Sequence, residues 1–505
     1  MSKNDDLCPD PGVHSALITK SKRFVMSIRS WLQKRQRRST LKQLAQMPSE
    51  KMNKVAQKRR VSTLKGACSR SVFYKKILDE QKCDLSFDRG LEHLWSRLPI
   101  LDKHNTFEKF DLSDLIMNGR PTDIASVLTS SGHSGVFSFG ICNRKQYDSS
   151  YIDMDMVLEQ LCGSDQKKTL VINMLPMGVR FSCSTVAIAE TSVHEDMAFG
   201  ILTKLERYFE QVILVSDPLF LNRFFEYARE KQYVWPANKV GCIIGEETFH
   251  ENFRDYVASQ LNTDLSDDTA PLVNSSMGVG ELGLNLFFET RETIRIKRAL
   301  DRNDDLFRRL FGFSPERGNL MLFSYNPLRT HIEANECNAD KIGDLLVSIL
   351  GLDHMIPLLR YRTGDRIRLL QWEEVSEAFS AAGLPVPNRP STPLVALQGR
   401  DRDVLSNGVN LSRIKDLLYK NPSIAQELTG AWRMEQRGDD WNLNLQLNQS
   451  GALNDAQIKE LSNSMPMKTH LKIWSYSDFP FGVSTDYERK FCYFEEQTDV
   501  APEIA

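Results

Sequence analysis

The sequence predicts an α/β protein in which a large N-terminal part is followed by a smaller α+β part. Between about residues 120 and 290, short apolar strands alternate with amphipathic helices, which is typical of a mostly parallel, helix-flanked sheet. Past residue 300 the strands become shorter and the turns tighter. Beyond residue 400 a separate pattern of helices and strands begins. At 505 residues the chain is also longer than one hydrophobic core usually serves, so several domains are expected.

Residue periodicity predicts the elements of the first region. Apolar runs predict strands at 169–174, 211–215, 240–244 and 271–274. Apolar residues that recur every three or four positions predict helices near 193–210, 217–231 and 249–261. In sheets of this kind, ligands bind at the carboxyl ends of the strands, in the turns that lead into helices.

The later elements are predicted in the same way. Strands are expected at 345–349 and 366–370, on either side of a tight turn at 361–365, and four prolines between 385 and 393 give an extended approach to Gly399 and Arg400. The last region is expected to hold helices near 411–420 and 454–463 and strands near 428–435, 441–447 and 470–475. The predicted divisions are a basic arm at 1–55, partly disordered or helical, a large domain at 56–400 and a small domain at 401–505.

The net charge of the chain is only −2, but the positive charges are concentrated near the N-terminus. From Lys20 to Lys76 there are 18 Lys and Arg residues and one acid, Glu50, so this stretch carries about +17 and the rest of the chain about −19. One interpretation is contact with a membrane surface, a nucleic acid or an acidic partner surface. The favoured one is a pair of surface helices that pack an apolar stripe on the acidic remainder of the chain. The stripe consists of Phe24, Ile28, Trp31 and Leu32.

Composition and cysteine usage indicate a cytoplasmic protein. No stretch approaches the roughly 20 consecutive apolar residues of a transmembrane segment, and the N-terminus lacks a signal-peptide pattern. The nine cysteines are scattered, without a C-x-x-C pair or a histidine cluster at metal-ligand spacing. We therefore expect reduced thiols and no structural zinc.

The segment L-T-S-S-G-H-S-G-V-F-S-F-G at 128–140 is open to two interpretations. Its small residues and glycines would let backbone N–H groups close on a phosphate, with hydroxyls as further donors. Alternatively, Gly132-His133-Ser134 is the start of a serine-nucleophile turn, G-x-S-x-G. That motif needs a glycine where this chain has Val136, and no later histidine has a distinctive context. The phosphate interpretation is therefore favoured.

Further motifs follow at characteristic distances: M-G-V-G-E-L-G at 277–283, P-L-L-R-Y-R-T-G-D at 357–365, G-R-D-R-D at 399–403 and G-V-N at 408–410. In this order the set resembles the adenylate-forming ligase superfamily, and most closely its phenylacetate-CoA ligase-like branch. The segments S-V-F-Y-K-K at 71–76 and L-P-I-L at 98–101 are similar to segments of that branch. The resemblance runs from about residue 60 to the C-terminus. It implies a large AMP-binding domain of helix-flanked, mostly parallel sheets with a small β subdomain, and a small mobile α+β C-terminal domain.

The resemblance also implies a set of ATP-binding residues. Asp365 is similar to the carboxylate that accepts both ribose hydroxyls, and Arg400 to the arginine that touches ribose and phosphate. Glu281 resembles the glutamate that supports Mg²⁺, for which hard oxygen ligands are expected. Others are implied to surround the phosphates and adenine: Ser130, Ser131, Gly132, His133, Ser134, Gly135, Glu246, Met277 and Gly278. For Glu246 a solvated position at a helix start, and for Arg400 an ordinary salt bridge, stay open as alternatives.

Two residues of the C-terminal region complete the implied site. Arg402 falls at the family's hinge position, where Asp or Lys is usual. Lys490 is a candidate for the catalytic lysine by its location near the C-terminus, although the usual G-K motif is missing and a solvated lysine is the alternative. The chain departs from the family at Val136, where a phosphate-loop lysine is common, and at Met277, where an aromatic residue often lies beside adenine.

The predicted function is ATP-dependent, AMP-forming activation of a carboxylic acid, with transfer of the acyl group to a thiol of CoA or of a carrier-protein phosphopantetheine. ATP and Mg²⁺ are the implied cofactors. Transfer to an amine or to a protein cysteine is the alternative within the fold. A non-catalytic scaffold with the same fold is the alternative from another class, suggested by Val136 and by the missing G-K motif.

Overall fold

The computed structural model of the chain divides into two compact units, Met1–Pro48 and Ser49–Ala505. In the first unit, residues 34–43 are helical and Leu32 is 52% exposed, while Phe24, Ile28 and Trp31 of the predicted apolar stripe lie outside the described residues. None of the helices in the described part of the chain is long and apolar enough to span a membrane. The structure describes residues 32, 34–43, 46–86, 88–117, 120–129, 136–176, 179–315, 320–400, 403–437, 440–482, 487–488 and 490–494.

The second unit contains helices throughout its length. They are Ser49–Arg70, Val72–Glu80, Leu91–Ser96, Leu112–Leu115, Arg144–Cys162, Glu195–Leu205, Pro218–Glu230, Glu251–Gln260, Arg291–Arg302, Asp304–Phe311, Trp372–Ala381, Leu411–Leu418, Pro422–Ala425 and Asp455–Ser464, with short turns of π-helix at His104–Glu108 and of 3-10 helix at Pro121–Asp123 and Glu206–Tyr208. The local sequence determines where many of these helices begin. Asp217, for example, accepts hydrogen bonds from the backbone N–H groups of Leu219 and Phe220 at 2.9 and 3.1 Å, which caps the helix that Pro218 opens.

The strands are numbered in chain order. The first eight are β1 (Ile124–Thr129), β2 (Phe139–Asn143), β3 (Thr169–Asn173), β4 (Ala187–Glu190), β5 (Gln211–Ser216), β6 (Val240–Ile244), β7 (Val273–Val279) and β8 (Gly283–Phe288). The remainder are β9 (Met321–Ser324), β10 (Thr330–Asn335), β11 (Gly343–Ile349), β12 (Tyr361–Leu370), β13 (Leu394–Gly399), β14 (Leu428–Arg437), β15 (Asp440–Leu447) and β16 (Thr469–Trp474).

A single mixed sheet dominates the described residues. Strands β7, β6, β5, β3 and β4 pair in parallel in that order, as the alternation of strands and helices predicts. Every residue of β3 and β5 is buried, in keeping with a parallel sheet covered on both faces. From β7 the same sheet continues in antiparallel pairing through β8, β9, β13, β12 and β11 to β10. The predicted α/β class is confirmed, and the later strands, which are not shorter than the parallel ones, join them in the same sheet.

The C-terminal elements form a separate three-stranded sheet that is packed on the preceding residues of the second unit. Strands β14 and β15 are antiparallel, and β16 joins β15 in parallel. The backbone N–H of Asn252 donates to Asp416 at 3.1 Å, and the Asn222 amide donates to the Tyr419 hydroxyl at 2.7 Å. The ring of Tyr419 lies 4.6 Å from that of Phe253, centroid to centroid. Buried polar and aromatic contacts therefore hold the helix Leu411–Leu418 and the residue after it on the helices Pro218–Glu230 and Glu251–Gln260. Mobility of the C-terminal part stays a prediction.

Two sequence predictions need correction. The strand expected at 271–274 begins at Val273 and extends to Val279, because it pairs with β6 through its first residues and with β8 through its later ones. The turn expected at 361–365 is wrong. These residues are the first half of β12, where the five positions from Arg362 to Arg366 face only the three positions of β11 from Asp344 to Leu346, so a bulge interrupts the pairing.

Candidate functional site

A cavity of about 970 Å³ lies at the carboxyl ends of the parallel strands. Its walls come from the ends of β5, β6 and β7, from β12 and β13, and from two C-terminal segments, 403–415 and 490–494. Parallel strands end at one edge of a sheet, so the turns that follow them face the same space. The cavity brings together most of the described residues that the sequence singled out: Glu246, Met277, Gly278, Glu281, Asp365, Arg400 and Lys490.

Asp365 lies at the bulge of β12 and forms an ion pair with Arg400. Gly364 has a φ of 86°, a left-handed conformation that glycine adopts without strain, and this allows the bulge. The Thr363 hydroxyl donates to Oδ2 of Asp365 at 2.9 Å, and Nε of Arg400 lies 3.3 Å from Oδ1. Asp403 in turn accepts from the Arg400 backbone N–H at 3.0 Å. A buried, acceptor-only carboxylate thus stands beside a cation that is 39% exposed toward the cavity.

Glu281 is a buried carboxylate with one oxygen engaged. The hydroxyl of Tyr361 donates to Oε1 of Glu281 at 2.6 Å. Burial, followed by the charge of Glu281, raises the pKa of Tyr361 well above its ordinary value, so the phenol stays protonated and keeps donating. The other oxygen, Oε2, has no hydrogen-bond partner among the described residues. A buried, unpaired carboxylate oxygen is costly by itself and fits a site that is completed by a cation.

The described residues contain no cluster of three or more His, Cys, Asp and Glu side chains that could hold a metal ion. Mg²⁺ is usually held by one or two carboxylates together with substrate phosphates and water. Glu281, with one oxygen unpaired among the described residues, supplies such a carboxylate. The donor set therefore fits a magnesium ion that arrives with a nucleotide.

Lys490 reaches the cavity from the C-terminal segment and contacts Glu246. Its Nζ lies 2.9 Å from the Glu246 carboxylate and donates to the Glu246 carbonyl oxygen at 3.2 Å. Glu246 follows β6 with a φ of 67°, which is uncommon for a residue other than glycine. Strained backbone of this kind collects at functional sites. The contact joins two predicted site residues that are 244 positions apart in the chain.

Met277 and Gly278 form part of the wall along β7. Met277 is half-buried and pairs with Phe287 across β7 and β8. A Cβ placed on Gly278 would lie 3.2 Å from Cα of Leu284 and 3.3 Å from the carbonyl oxygen of Gly283, so a side chain here would press against the neighbouring strand. Gly278 is exposed and lines the cavity, so the backbone of β7 is accessible from the cavity at this position.

Some predicted site residues lie outside the described residues. They are Ser130, Ser131, Gly132, His133, Ser134 and Gly135 of the expected phosphate loop, and Arg402 at the expected hinge. Leu128 and Thr129, which precede the expected loop, line the cavity.

The sequence analysis missed a second ion pair at the cavity wall. Lys415 contacts the Glu247 carboxylate, which also accepts a hydrogen bond from the Tyr493 hydroxyl at 3.0 Å. Burial, followed by the charge of Glu247, raises the pKa of Tyr493 well above its ordinary value. No local motif marks these residues, since they meet only when the C-terminal segment packs on the turn after β6.

An apolar wall was also missed, although its signal is in the sequence. The helix Arg144–Cys162 places Met154, Val157, Leu158 and Leu161 along the cavity. These positions recur at helical spacing, so they could have been identified as one face of a helix. Strand-end residues Leu175, Val215 and Ile243 continue the apolar surface.

The structure resembles solved structures of acyl-CoA ligases. It aligns with 2-hydroxyisobutyryl-CoA ligase in the postadenylation state, in complex with R3-HIB-AMP, with a TM-score of 0.62 and 13% identity over 90% of this chain and 91% of that chain. For an open conformation of that ligase with 2-HIB-AMP and CoA, the TM-score is 0.52 at 13% identity over 89% and 93% of the two chains. In the thioesterification state the TM-score is also 0.52, at 14% identity over 91% and 90%. No protein-family model and no curated protein matches the chain. The chain therefore has the fold of the adenylate-forming acyl-CoA ligases.

Proposed function

We propose that this protein is an ATP-dependent, AMP-forming ligase that activates a carboxylic acid as its acyl adenylate and transfers the acyl group to a thiol, as in the phenylacetate-CoA ligase-like branch. The observation that carries the proposal is the one cavity shared by the Asp365–Arg400 ion pair, the half-satisfied carboxylate of Glu281 and the ammonium group of Lys490. An adenylating enzyme must hold a ribose, a metal, phosphates and a carboxylate together. The cavity offers an acceptor carboxylate for the ribose, an unpaired carboxylate oxygen for the metal, and the cations Arg400 and Lys490 for the negatively charged groups.

The nucleoside end of ATP would lie beside Asp365. Its carboxylate has only acceptor atoms, which suits the two hydroxyls of a ribose. Arg400, 3.3 Å from that carboxylate, would contact the ribose and the α-phosphate, where its guanidinium can donate two hydrogen bonds to phosphate oxygens. The exposed backbone at Gly278 offers a flat surface for adenine.

Glu281 would hold Mg²⁺ through its unpaired oxygen, with Tyr361 fixing the other oxygen. When bound, the ion would neutralise negative charge on the phosphate oxygens. The single carboxylate leaves most of the ligand positions to phosphates and water, which is the usual arrangement for magnesium.

The reaction proceeds in two steps. First, a carboxylate oxygen of the acid attacks the α-phosphorus of ATP, the bond to the bridging oxygen breaks and pyrophosphate leaves with the electron pair. Lys490 would leave Glu246 and place its ammonium group against the charge that develops in this step. Second, a thiol sulfur attacks the acyl carbon, the bond between that carbon and AMP breaks and the thiol proton passes to solvent.

The apolar wall supports an acid with an uncharged, apolar body. Met154, Val157, Leu158 and Leu161 line one side of the cavity, and all four are apolar. At its border the Ser276 hydroxyl donates to Asn285 at 2.7 Å. A second carboxylate or an ammonium group on the acid would therefore lose its hydration without gaining a partner.

The proposed activity is tested by pyrophosphate exchange. With ATP, Mg²⁺ and a panel of apolar acids, the protein should catalyse acid-dependent exchange of labelled pyrophosphate into ATP, and acids with a second charge should be poor substrates. Adding CoA, a carrier protein or an amine then identifies the acceptor. ATP at about 100 times its Kd should also stabilise the fold by roughly 2.7 kcal/mol. If no acid supports exchange and ATP leaves the melting temperature unchanged, the scaffold alternative is correct.

Glu281→Gln is expected to raise the Mg²⁺ concentration needed for half-maximal exchange by about 10-fold or more. The reason is that the substitution removes the charge of the proposed Mg²⁺ ligand, and a hydrogen bond or contact to a charged group contributes about 1.5–3 kcal/mol to binding. Titration of exchange activity with Mg²⁺ measures the effect. Without ligands the variant should be no less stable than the wild type, because it removes a buried, half-paired charge. An unchanged Mg²⁺ titration would show that Glu281 is not the metal ligand.

A further inference from the structure

A pair of polar side chains lies at the edge of the apolar wall of the cavity. The pair consists of Ser276 on β7 and Asn285 on β8, and both residues line the cavity. The Ser276 hydroxyl donates to Oδ1 of Asn285 at 2.7 Å, and Nδ2 of Asn285 lies 3.3 Å from the sulfur of Met154. Asn285 therefore connects the strands β7 and β8 with the apolar helix Arg144–Cys162.

The amide nitrogen of Asn285 has only a weak hydrogen-bond partner. Among the described residues, Nδ2 reaches the thioether sulfur of Met154, which is a poor acceptor. An amide nitrogen carries two N–H donors, so an oxygen atom of a ligand could take the place of the sulfur. Asn285 is also half-buried, where a hydrogen bond is stronger than in open solvent. The side chain is thus arranged to donate to an oxygen atom in the cavity.

The backbone at Asn285 has an unusual conformation that directs this side chain. Its φ is 54°, a left-handed conformation that asparagine adopts more readily than most other residues except glycine. The pairing of β7 with β8 shifts register between Met277 and Val279, so Asn285 belongs to an irregular part of β8. Irregular strands of this kind change the direction of a side chain and are frequent beside active sites.

The pair lies where the apolar wall meets the nucleotide side of the cavity. Ser276 is followed on β7 by Met277 and Gly278, and Gly278 would offer its surface to adenine. On its other side, Asn285 contacts Met154 of the apolar wall. An acid with its carboxylate toward the α-phosphate and its body along the apolar wall must cross this border. An oxygen atom on a carbon near the carboxyl group would therefore come next to Asn285.

We infer that Asn285, oriented by Ser276, selects an acid that carries an uncharged oxygen substituent, a hydroxyl or a keto group, on a carbon near the carboxyl group. The inference rests on the proposed adenylating function and narrows its substrate from apolar acids to oxygen-substituted ones. The Asn285 amide donates to the substituent. A hydroxyl substituent can also donate to Oδ1 of Asn285, which accepts a second hydrogen bond beside that from Ser276. A charged substituent is disfavoured, because the polar pair carries no charge to compensate it.

The inference is tested with acids that share one carbon skeleton. Hexanoic acid is compared with its derivatives that carry a hydroxyl or keto oxygen on the second or third carbon. The measurement is acid-dependent exchange of labelled pyrophosphate into ATP by the full-length protein. At least one derivative should have a kcat/KM about 10-fold or more above that of hexanoic acid, because an acid without the oxygen leaves the amide without a good partner.

Asn285→Gly should lower this preference about 10-fold, because glycine keeps the left-handed backbone but lacks the amide. Asn285→Asp replaces the N–H donors with a carboxylate oxygen. Keto derivatives, which only accept hydrogen bonds, should then lose more activity than hydroxy derivatives, which can donate. Ser276→Ala removes the hydroxyl that orients the amide and should lower the preference several-fold, so it tests the inference even if a change at Asn285 prevents folding.

Asn262→Gly is the matched control. Asn262 also has a left-handed conformation, with a φ of 53°, but it donates to the Trp235 carbonyl at 3.1 Å and does not line the cavity. Its replacement should leave the preference unchanged. Equal use of hexanoic acid and all its derivatives by the wild type, or a preference that survives Asn285→Gly, would overturn the inference while the exchange itself supports the proposed function. Absence of exchange with every acid would overturn both.

Discussion

Lys490→Ala should lower the rate of acyl-adenylate formation by roughly 10²–10³-fold, the loss expected when one preorganised donor to a developing charge is removed. Lys490 lies at the cavity, with Nζ 2.9 Å from the Glu246 carboxylate, and the segment that carries it is packed on the turn after β6. Charge on pyrophosphate develops only in the first step. Transfer to a thiol from a supplied acyl adenylate should therefore proceed at close to the wild-type rate. Pyrophosphate release and thioester formation, measured separately, check the two steps.

The control for this change is Lys468→Ala, which removes an exposed lysine of the same C-terminal region that does not line the cavity. It should leave both steps unchanged. Since the Lys490–Glu246 pair is partly exposed, its loss should also cost no more than about 1 kcal/mol of stability. Equal loss of both steps in a folded Lys490→Ala variant would show that the lysine has been assigned to the wrong step.

Arg254→Met should destabilise the fold by about 3–5 kcal/mol, because it leaves the buried carboxylate of Glu289 without its ion-pair partner. Arg254 is fully buried, and its guanidinium lies 2.6 Å from Glu289 and 3.0 Å from Glu251. It also donates to the carbonyl of Val273, and Glu289 accepts from the Ser275 N–H at 2.7 Å. The cluster therefore braces β7, the strand that carries Met277 and Gly278. Urea unfolding measures the change in free energy.

Arg295→Met is the matched control for this prediction. Arg295 pairs with Asp268 on the surface, and a pair of that kind contributes about 0–1 kcal/mol. The pH dependence gives a further check. Burial raises the pKa of Glu289, a shift that Arg254 opposes, so without Arg254 the folded-state pKa should rise further. A carboxyl group with a raised folded-state pKa destabilises the fold as pH rises through the interval above its unfolded pKa. The loss in free energy of unfolding caused by Arg254→Met should thus be smaller at pH 5 than at pH 8. A loss below about 1 kcal/mol, or one that grows on acidification, would contradict the prediction.

Local sequence was sufficient for much of the fold. The buried strands β3, β5 and β6 are short runs of Val, Ile and Leu, and such runs are recognisable because both faces of a parallel sheet are covered. The helix Leu411–Leu418 and strands β14 to β16 were likewise expected within a few residues. The first half of β12 was predicted to be a turn because Thr363-Gly364 resembles a turn sequence. Only the pairing of β12 with β11 shows that these residues form a bulge within a strand.

The candidate site, like the fold, was predictable from the sequence only in part. Asp365, Glu281 and Arg400 belong to short motifs of the sequence, and the resemblance of those motifs to the adenylate-forming ligases implied one candidate site and a role for each residue. Only the tertiary structure decided the contacts within the site: Tyr361 with Glu281 across 80 positions, and Glu246 with Lys490 across 244. The reason is physical. Periodicity and turn residues record the conformation of neighbouring residues, whereas contacts between distant segments depend on which buried surfaces pack together.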